Sequence, residues 1–253
     1  MQREQARVFG EVAELYERRR PDYPDAVVDG VLAAVAGPRR VLEAGAGTGK
    51  ATVALARRGL EIDAVEPDPA MAEIARRRTG GLPVHVHEMR FESWDGAPGA
   101  FDLVVSAQAW HWIDDQRGAA IAARALRTGG ALAVMGNWPR ALGGAVFDAV
   151  EEAYRREAPS LAPEIALLGT GELEYEEPRT LPGFSAWTRT SFEWERVYDG
   201  AGYSELIQTQ SDHRMLPPEK LRRLVRAVRE AIDAVGPLAY PYRAELRIAR
   251  PLR

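Results

Sequence analysis

The 253-residue sequence has no cysteine, almost no lysine and no long apolar run. Without cysteine the chain has no disulfide bonds, thiolate nucleophiles or cysteine-ligated metal sites. No apolar stretch approaches the roughly 20 residues that a membrane helix needs, and the charged first residues are unlike a signal peptide. We therefore expect a cytoplasmic protein with no membrane partner.

Positive and negative charges nearly balance. Thirty-three Lys and Arg face 37 Asp and Glu, for a formal net charge of −4, and lysine occurs only at Lys50 and Lys220. Because there is no basic surplus, a nucleic-acid partner is not expected. With 46% hydrophobic residues the chain can bury a sizeable core. The sequence does not indicate an oligomeric state.

Short apolar runs alternate with helical stretches in the first half of the chain. The predicted strands cover residues 40–44, 61–65, 83–87, 101–107 and 131–136, and the predicted helices cover 48–58, 68–78 and 114–127. This alternation is typical of a parallel sheet with helices on both faces. The sequence therefore predicts an α/β, Rossmann-like, doubly wound fold.

Two regions flank this predicted core. Residues 1–37 are predicted to form N-terminal cap helices, and residues 137–183 a helical and loop insertion after the fifth strand. A strand at 185–198, an amphipathic helix at 221–235 and a closing strand at 242–249 follow. We expect a single domain over residues 1–253, in which the insertion serves as a lid and substrate wall.

A glycine-rich turn joins the first predicted strand to the next helix, and its glycines are Gly45, Gly47 and Gly49. A P-loop is excluded, because Ala44 stands where its first glycine belongs and Ala51 lacks the hydroxyl that would bind magnesium. A dinucleotide fingerprint would need its third glycine at the position of Lys50. The turn therefore departs from both common phosphate-binding patterns.

Two carboxylates accompany the turn. Glu43 precedes Gly45 by two residues, where its charge would repel a polyphosphate but would suit an ammonium group. Glu66 ends the second strand, where a carboxylate can accept hydrogen bonds from both hydroxyls of a ribose. A nucleoside joined to an amino acid, as in S-adenosylmethionine, fits both positions. The alternative is that Glu43 caps local backbone and Glu66 is a solvated strand end.

The sequence resembles the class I S-adenosylmethionine-dependent methyltransferases, and more closely their small-molecule branch of trans-aconitate-type and actinobacterial enzymes. The matching segments are VLEAGAGTGKAT, AVEPDPAMAEIAR, RFESWDGAPGAFDLVVSAQAWHWID, ALRTGGALAVMGNW, YERRRPDYP and TQSDHRMLPPEKLRRLVRAVREAI. The resemblance implies a seven-stranded sheet whose last strand is antiparallel. It also implies S-adenosylmethionine as methyl donor and S-adenosylhomocysteine as product.

The resemblance further implies which residues surround the cofactor. Around its methionine part these are Glu43, Gly45, Ala46, Gly47 and Thr48. Around its ribose and adenine they are Glu66, Pro67, Met71, Arg90, Phe91 and Glu92, and Gly49 and Ala107 are further cofactor-binding residues. The N-terminal segment would close over it through Tyr16, Arg20 and Tyr23. For Phe91 and the tyrosines, packing within the protein is the alternative.

The candidate catalytic residue is His111, just past the fourth strand at the edge where open α/β sheets bind ligands. An imidazole with an ordinary pKa of about 6.5 can accept a proton at neutral pH; the alternative is a wall residue. His85 and His87 share one strand face without an evident third ligand, so no metal site is expected.

These observations predict methyl transfer to a small molecule, with a role in specialised metabolism as a further expectation. Two alternatives remain. One is a nicotinamide-dependent oxidoreductase, and the other is a cofactor-binding protein of the same fold without methyltransferase activity.

Overall fold

The computed structural model describes residues 13–170 and 180–252 of the chain, so parts of the predicted cap (1–12) and lid (171–179) lie outside it. Among the described residues, the strands are β1 (Arg40–Ala44), β2 (Glu61–Val65), β3 (Val84–His87), β4 (Phe101–Ala107), β5 (Leu126–Pro139), β6 (Thr188–Tyr198) and β7 (Leu238–Ala249). They form one seven-stranded sheet in the order β3-β2-β1-β4-β5-β7-β6. The first five strands are parallel, and β7 is antiparallel to its neighbours. This confirms the predicted fold class.

The helices follow the predicted alternation through the first half of the chain. They are α1 (Ala13–Arg19), α2 (Asp25–Ala33), α3 (Lys50–Ala56), α4 (Pro69–Arg78), α5 (Asp115–Ala125), α6 (Ala145–Glu157), α7 (Ala162–Thr170), α8 (Gly200–Ile207), α9 (Ser211–Arg214) and α10 (Pro218–Val235). Across residues 13–170 and 180–252, no helix combines the length and apolar character needed to cross a membrane.

The described residues divide into two compact units. The glycine-turn unit comprises residues 22–137, 180–192 and 244–252, and the tyrosine unit comprises residues 13–21, 138–170 and 193–243. Strands β5, β6 and β7 contribute residues to both units. That the whole chain is a single domain, with a cap and a lid, stays a prediction.

In the glycine-turn unit, β1 lies between β2 and β4, so that Glu43 has Ala64 on one side and Val105 on the other. The chain continues from β1 to β2 on one side and later returns to place β4 on the other. The carboxyl ends of β1 and β4 therefore form the topological switch point, where open α/β sheets bind ligands.

Local signals explain where two helices of this unit begin. At α4 the Asp68 side chain accepts hydrogen bonds from the amides of Ala70 and Met71, at 2.9 and 3.0 Å, and Pro69 occupies the first turn. Such a cap satisfies amides that have no partner inside the helix. At α5, Asp114 accepts from the Arg117 amide at 2.8 Å in the same way.

The tyrosine unit has a core rich in tyrosine. The members of this tyrosine cluster are each 5% exposed or less, namely Tyr154, Tyr198, Tyr203, Tyr240 and Tyr242. The ring centroids of Tyr240 and Tyr242 lie 4.8 Å apart, and those of Tyr203 and Tyr240 lie 5.8 Å apart. Aromatic pairs at such distances add about 0.5–1.5 kcal/mol beyond the burial of their area.

Two buried polar side chains of this core, Tyr154 and His213, bond to each other, and His213 also bonds to the partly exposed Asp212. The Tyr154 hydroxyl lies 2.6 Å from His213 Nε2, and His213 Nδ1 lies 2.9 Å from Asp212 Oδ1. Burial strongly raises the pKa of Tyr154. Burial alone would also raise the pKa of Asp212, but the bonds and charge of His213 hold that pKa below its ordinary value. The His213 ring therefore has a partner on each nitrogen.

Candidate functional site

The glycine-rich turn is tied to the end of β2 by its own amides. Those of Gly45 and Ala46 both donate to the Val65 carbonyl, at 2.9 and 3.0 Å. The amide of Gly47 donates to Glu66 Oε2 at 2.8 Å. The shape of the turn is thus set by the strand that neighbours β1 in the sheet.

The three glycines of the turn have positive φ angles of 74°, 59° and 83°, but their surroundings differ. A Cβ added to Gly45 would clash with the Ala109 Cβ, and one added to Gly49 would lie 3.4 Å from Ala75. A Cβ added to Gly47 would meet no atom of the described chain within 4 Å. Gly45 and Gly49 therefore permit close packing, whereas open space lies beside the backbone of Gly47.

Glu43 is fully buried at the end of β1. Its Oε2 accepts a hydrogen bond from the Thr52 hydroxyl at 2.6 Å, while its Oε1 has no partner among the described residues. Burial raises the pKa of Glu43 to about 7; the Thr52 bond opposes this rise and the charge of Glu66 adds to it. A buried acceptor without a donor costs about 1–3 kcal/mol, which a bound donor can recover.

Thr52 was not predicted as a site residue. It is fully buried on α3, and no other side chain of that helix with a polar group is buried to this extent. A lone threonine on an otherwise apolar helix face was the available signal in the sequence. Thr48, which was predicted, is 1% exposed, and its hydroxyl has no hydrogen-bond partner within the described part of the chain.

Glu66 is 7% exposed and is held at both carboxylate oxygens. Oε2 accepts from the Gly47 amide and Oε1 from the Asp68 amide, each at 2.8 Å. Burial raises the pKa of Glu66 to about 7, although these two backbone bonds lower it. Each carboxylate oxygen has two lone pairs, so both can accept a further hydrogen bond.

The residues predicted to surround adenine differ in their exposure to solvent. Pro67 is exposed, and Met71 is 4% exposed on α4. Arg90 is exposed and donates to Glu92 Oε1 at 3.1 Å. Phe91 is 3% exposed and packs on Trp110 with ring centroids 6.2 Å apart. The packing alternative accounts for the burial of Phe91, and its contact with adenine stays a prediction.

The segment after β4 passes directly against the glycine turn. Ala107 ends the strand, and Gln108 has a φ of 55°, the one positive value outside glycine among the described residues. Its amide donates to the Met135 carbonyl at 2.8 Å, and its side-chain Nε2 donates to the Asn137 carbonyl at 3.0 Å. A left-handed non-glycine residue stores strain of about 1–3 kcal/mol, and such residues cluster at functional sites.

His111 follows in a single 3-10 turn, Trp110–Trp112. Its side chain is exposed, and neither ring nitrogen has a hydrogen-bond partner within residues 13–170 and 180–252. The surrounding protein nevertheless desolvates the imidazole in part and so lowers its pKa; the Trp112 ring centroid lies 4.8 Å from that of His111. The ring is therefore neutral at pH 7 and can accept a proton.

The three predicted residues of the N-terminal segment fall in different units. Tyr16 and Arg20 belong to the tyrosine unit, where Arg20 lies over the Tyr16 ring at 5.3 Å and donates to the Thr209 side chain and carbonyl at 2.9 Å. Tyr23 is half-buried in the glycine-turn unit. The position of the Arg20 side chain is thus explained by its contacts with other residues of the tyrosine unit.

The paired histidines of β3 have separate surroundings. His85 is exposed, whereas His87 Nε2 lies 2.8 Å from Asp63 Oδ1 on the neighbouring strand. The described ranges contain no group of three or more residues arranged to hold a metal ion.

The sheet order, together with two buried carboxylates beside a glycine turn at the switch point, is that of the class I methyltransferase fold. Residues 41–130 match the family model of a methyltransferase domain. A solved structure from Anaeromyxobacter dehalogenans, provisionally assigned as a type II methyltransferase, superposes with a TM-score of 0.62 at 23% identity. That superposition covers 91% of this chain and 97% of the other.

Sequence relatives point the same way. An uncharacterized methyltransferase of Mycobacterium tuberculosis is 41% identical over 145 residues, which cover 53% of this chain and 57% of that protein. The trans-aconitate 2-methyltransferase of Rhodococcus jostii is 31% identical over 125 residues, or 49% and 41% of the two chains. The chain thus spans about half the length of the curated relatives that it matches. Residues 41–130 thus match a methyltransferase domain, and the fold is similar to that of the class I S-adenosylmethionine-dependent methyltransferases.

Proposed function

We propose that the protein transfers a methyl group from S-adenosylmethionine to a small-molecule acceptor. The observation that carries this proposal is the fully buried Glu43, whose Oε1 has no donor among the described residues. An ammonium group is the donor that a buried carboxylate favours most, because the pair is charge-assisted. S-adenosylmethionine brings an ammonium group together with a ribose, for which Glu66 is available.

The residues present fit that cofactor. The open space beside Gly47 admits a close approach to the backbone, and the Thr48 hydroxyl is buried without a partner. Burial raises the pKa values of Glu43 and Glu66 to about 7, so a nearby positive charge would favour their ionised forms. When bound, S-adenosylmethionine supplies an electrophilic methyl group on a sulfonium.

His111 is the proposed general base for an acceptor that carries a proton. It lies past the carboxyl end of β4, and its lowered pKa keeps the imidazole neutral. A base must come within about 2.6–3.2 Å of the proton that it removes. If His111→Ala leaves turnover at saturating acceptor unchanged, His111 is a wall residue.

A small acceptor is supported by the net charge of −4, which offers no field for nucleic acid. A small organic acid is the acceptor named for the Rhodococcus jostii relative. Residues 137–183 would contribute the wall of the acceptor site. The proposal also includes a role for the protein in specialised metabolism and a location in the cytoplasm.

Calorimetric titration with S-adenosylmethionine, S-adenosylhomocysteine and NAD in parallel tests the proposal. We expect micromolar binding of the first two and none of NAD. Binding of NAD alone would replace it with a nicotinamide-dependent oxidoreductase. Cofactor binding without labelled product over a broad acceptor panel would favour a protein of this fold that does not methylate.

A further inference from the structure

We propose that the ion pair between Asp22 and Lys50 fastens a strap, residues 22–24, across the cofactor site and thereby slows release of the cofactor. The inference rests on the proposed function, because it takes the glycine turn as the place where S-adenosylmethionine binds. It assigns a positioning role to two residues outside the predicted cofactor contacts.

The first attachment of the strap is at the glycine turn itself. Lys50 directly follows Gly49 and is the first residue of α3. Its Nζ donates to Asp22 Oδ1 at 2.9 Å, with the Lys50 side chain 11% exposed and the Asp22 side chain 71% exposed. The lysine is therefore held in place by the protein, while the aspartate approaches it from the solvent side.

The second attachment is at the ends of two neighbouring strands. The Asp22 carbonyl accepts from Asn137 Nδ2 at 3.1 Å, near the end of β5. The Asn137 carbonyl in turn accepts from Gln108 Nε2 at 3.0 Å, just after β4. Asp22 thus connects the start of α3 to the carboxyl ends of β4 and β5.

The two attachments lie on opposite sides of the switch point. The glycine turn and α3 follow β1, and β1 is the neighbour of β4 in the sheet. Because Asp22 makes both attachments, through its side chain and its carbonyl, this residue of the strap spans the edge at which ligands of such sheets bind. A ligand on the glycine turn would then leave more readily when the strap detaches.

The backbone of the strap is restrained at its last residue. Its last residue, Pro24, has a φ of −57° and a ψ of 145°, and its carbonyl accepts from the Val27 amide at 3.0 Å at the start of α2. Proline fixes its own φ and restricts the residue before it, here Tyr23. Of the two attachments, the partly exposed ion pair is the one that salt can weaken.

The test measures the release rate of S-adenosylhomocysteine by stopped flow in the wild type, Asp22→Asn and Lys50→Met. Because partly exposed ion pairs change equilibria by up to about fivefold, each variant should release the ligand about two to five times faster. Wild-type release should accelerate with ionic strength, whereas release from the variants should not. The exchanged double variant, Asp22→Lys with Lys50→Asp, should return release toward the wild-type rate.

Lys220→Met is the matched control, because it removes the other lysine of the chain from an exposed position in the tyrosine unit. Release rates equal to wild type in Asp22→Asn and Lys50→Met would overturn the strap proposal, even if these variants melt at lower temperature. Calorimetric binding by the wild type would show that the proposed function survives that result. If the wild type binds neither S-adenosylmethionine nor S-adenosylhomocysteine, the proposed function fails and the strap proposal fails with it.

Discussion

The polar groups beside the tyrosine cluster and those beside the glycine turn differ in how fully they are hydrogen-bonded. In the tyrosine unit, Tyr154, His213 and Asp212 satisfy one another in a chain of hydrogen bonds. In the glycine-turn unit, Glu43 Oε1 and the Thr48 hydroxyl are buried with no partner in the described chain. Since an unsatisfied buried polar atom is costly, its presence in a folded protein calls for an explanation.

The pKa values of the carboxyl groups also differ between the glycine turn and the surroundings of the tyrosine cluster. Burial raises the pKa values of Glu43 and Glu66, while His213 holds the pKa of Asp212 down. Polar networks whose members are all satisfied specify a unique core, whereas a buried polar atom without a partner has a free-energy cost that a bound donor can offset. We therefore interpret the tyrosine cluster as structural and the glycine-turn carboxylates as functional.

The largest expected effect is that of Glu43→Gln on cofactor affinity. The amide keeps a partner for Thr52 but loses the charge, so S-adenosylmethionine should bind about 10-fold or more weakly, as expected for a charge-assisted bond worth about 1.5–3 kcal/mol. Calorimetry measures the change, with Glu73→Gln on the exposed face of α4 as control. Unchanged affinity would mean that Glu43 does not bind the ammonium group.

The same variant should stabilise the protein without ligand. Folding raises the pKa of Glu43 from 4.5 to about 7, so the folded state holds the proton more tightly. Glu43 therefore lowers stability as pH rises through that window, and Gln does not. Urea unfolding at pH 8 should give Glu43→Gln a larger free energy of unfolding than the wild type.

Tyr154→Phe should lower the stability of the protein and leave its cofactor affinity unchanged, the opposite of what we expect for Glu43→Gln. The substitution leaves the buried His213 Nε2 without its partner and should lower the free energy of unfolding by about 1–3 kcal/mol. Cofactor affinity should remain at the wild-type value. Tyr198→Phe, which removes a hydroxyl contact of 3.0 Å with Tyr242, is the matched comparison within the cluster. A large loss of affinity in Tyr154→Phe would undo our separation of structural from functional groups.

The strained backbone at Gln108 predicts an unusual order of stability. Gln108→Gly should be more stable than Gln108→Ala by about 1–2 kcal/mol, because only glycine adopts a positive φ without cost. Gln208 is the reference site: its side chain also donates to a carbonyl, that of Ser204, but its φ is −68°. There the alanine variant should be the more stable one. The same order at both sites would exclude strain at Gln108.

The smallest expected effect concerns the tyrosine unit in acid. Because folding lowers the pKa of Asp212, this residue contributes stability above its unfolded pKa of 3.8, and that contribution is lost as pH falls through the folded pKa. Asp212→Asn should therefore flatten the decline of the unfolding free energy between pH 5 and pH 2, taken as about the range of Asp titration. Asp148→Asn, at an exposed position of α6, is the control.

The sequence predicted the glycine-turn unit closely because its strands are short apolar runs bounded by glycine, proline or charge. Strands β1, β2 and β4 have the bounds that the pattern predicts. Strand β5 begins at Leu126 rather than at residue 131, because pairing of Phe101 with Leu126 continues across an irregularity in the ladder. Such pairing depends on the neighbouring strand and leaves no local pattern.

The remaining differences also depend on contacts distant in sequence. Helix α8 begins where Asp199 accepts from the Gly202 amide at the end of β6, and it packs on α10, so its own small residues did not predict it. The residue types of Glu43 and Glu66 marked the site. The bond from Gly47 to Glu66 required the parallel register of β1 and β2, which the sequence does not specify by itself.

That bond has a consequence for the entropy of binding. A free glutamate side chain loses up to about 1.5–2 kcal/mol of rotamer freedom when it is immobilised. The two amides that hold Glu66 impose this loss during folding, before any ligand arrives. A ribose that donates hydrogen bonds to the Glu66 carboxylate therefore does not need to order a flexible side chain. The affinity gained from these hydrogen bonds is not reduced by a loss of side-chain entropy on binding.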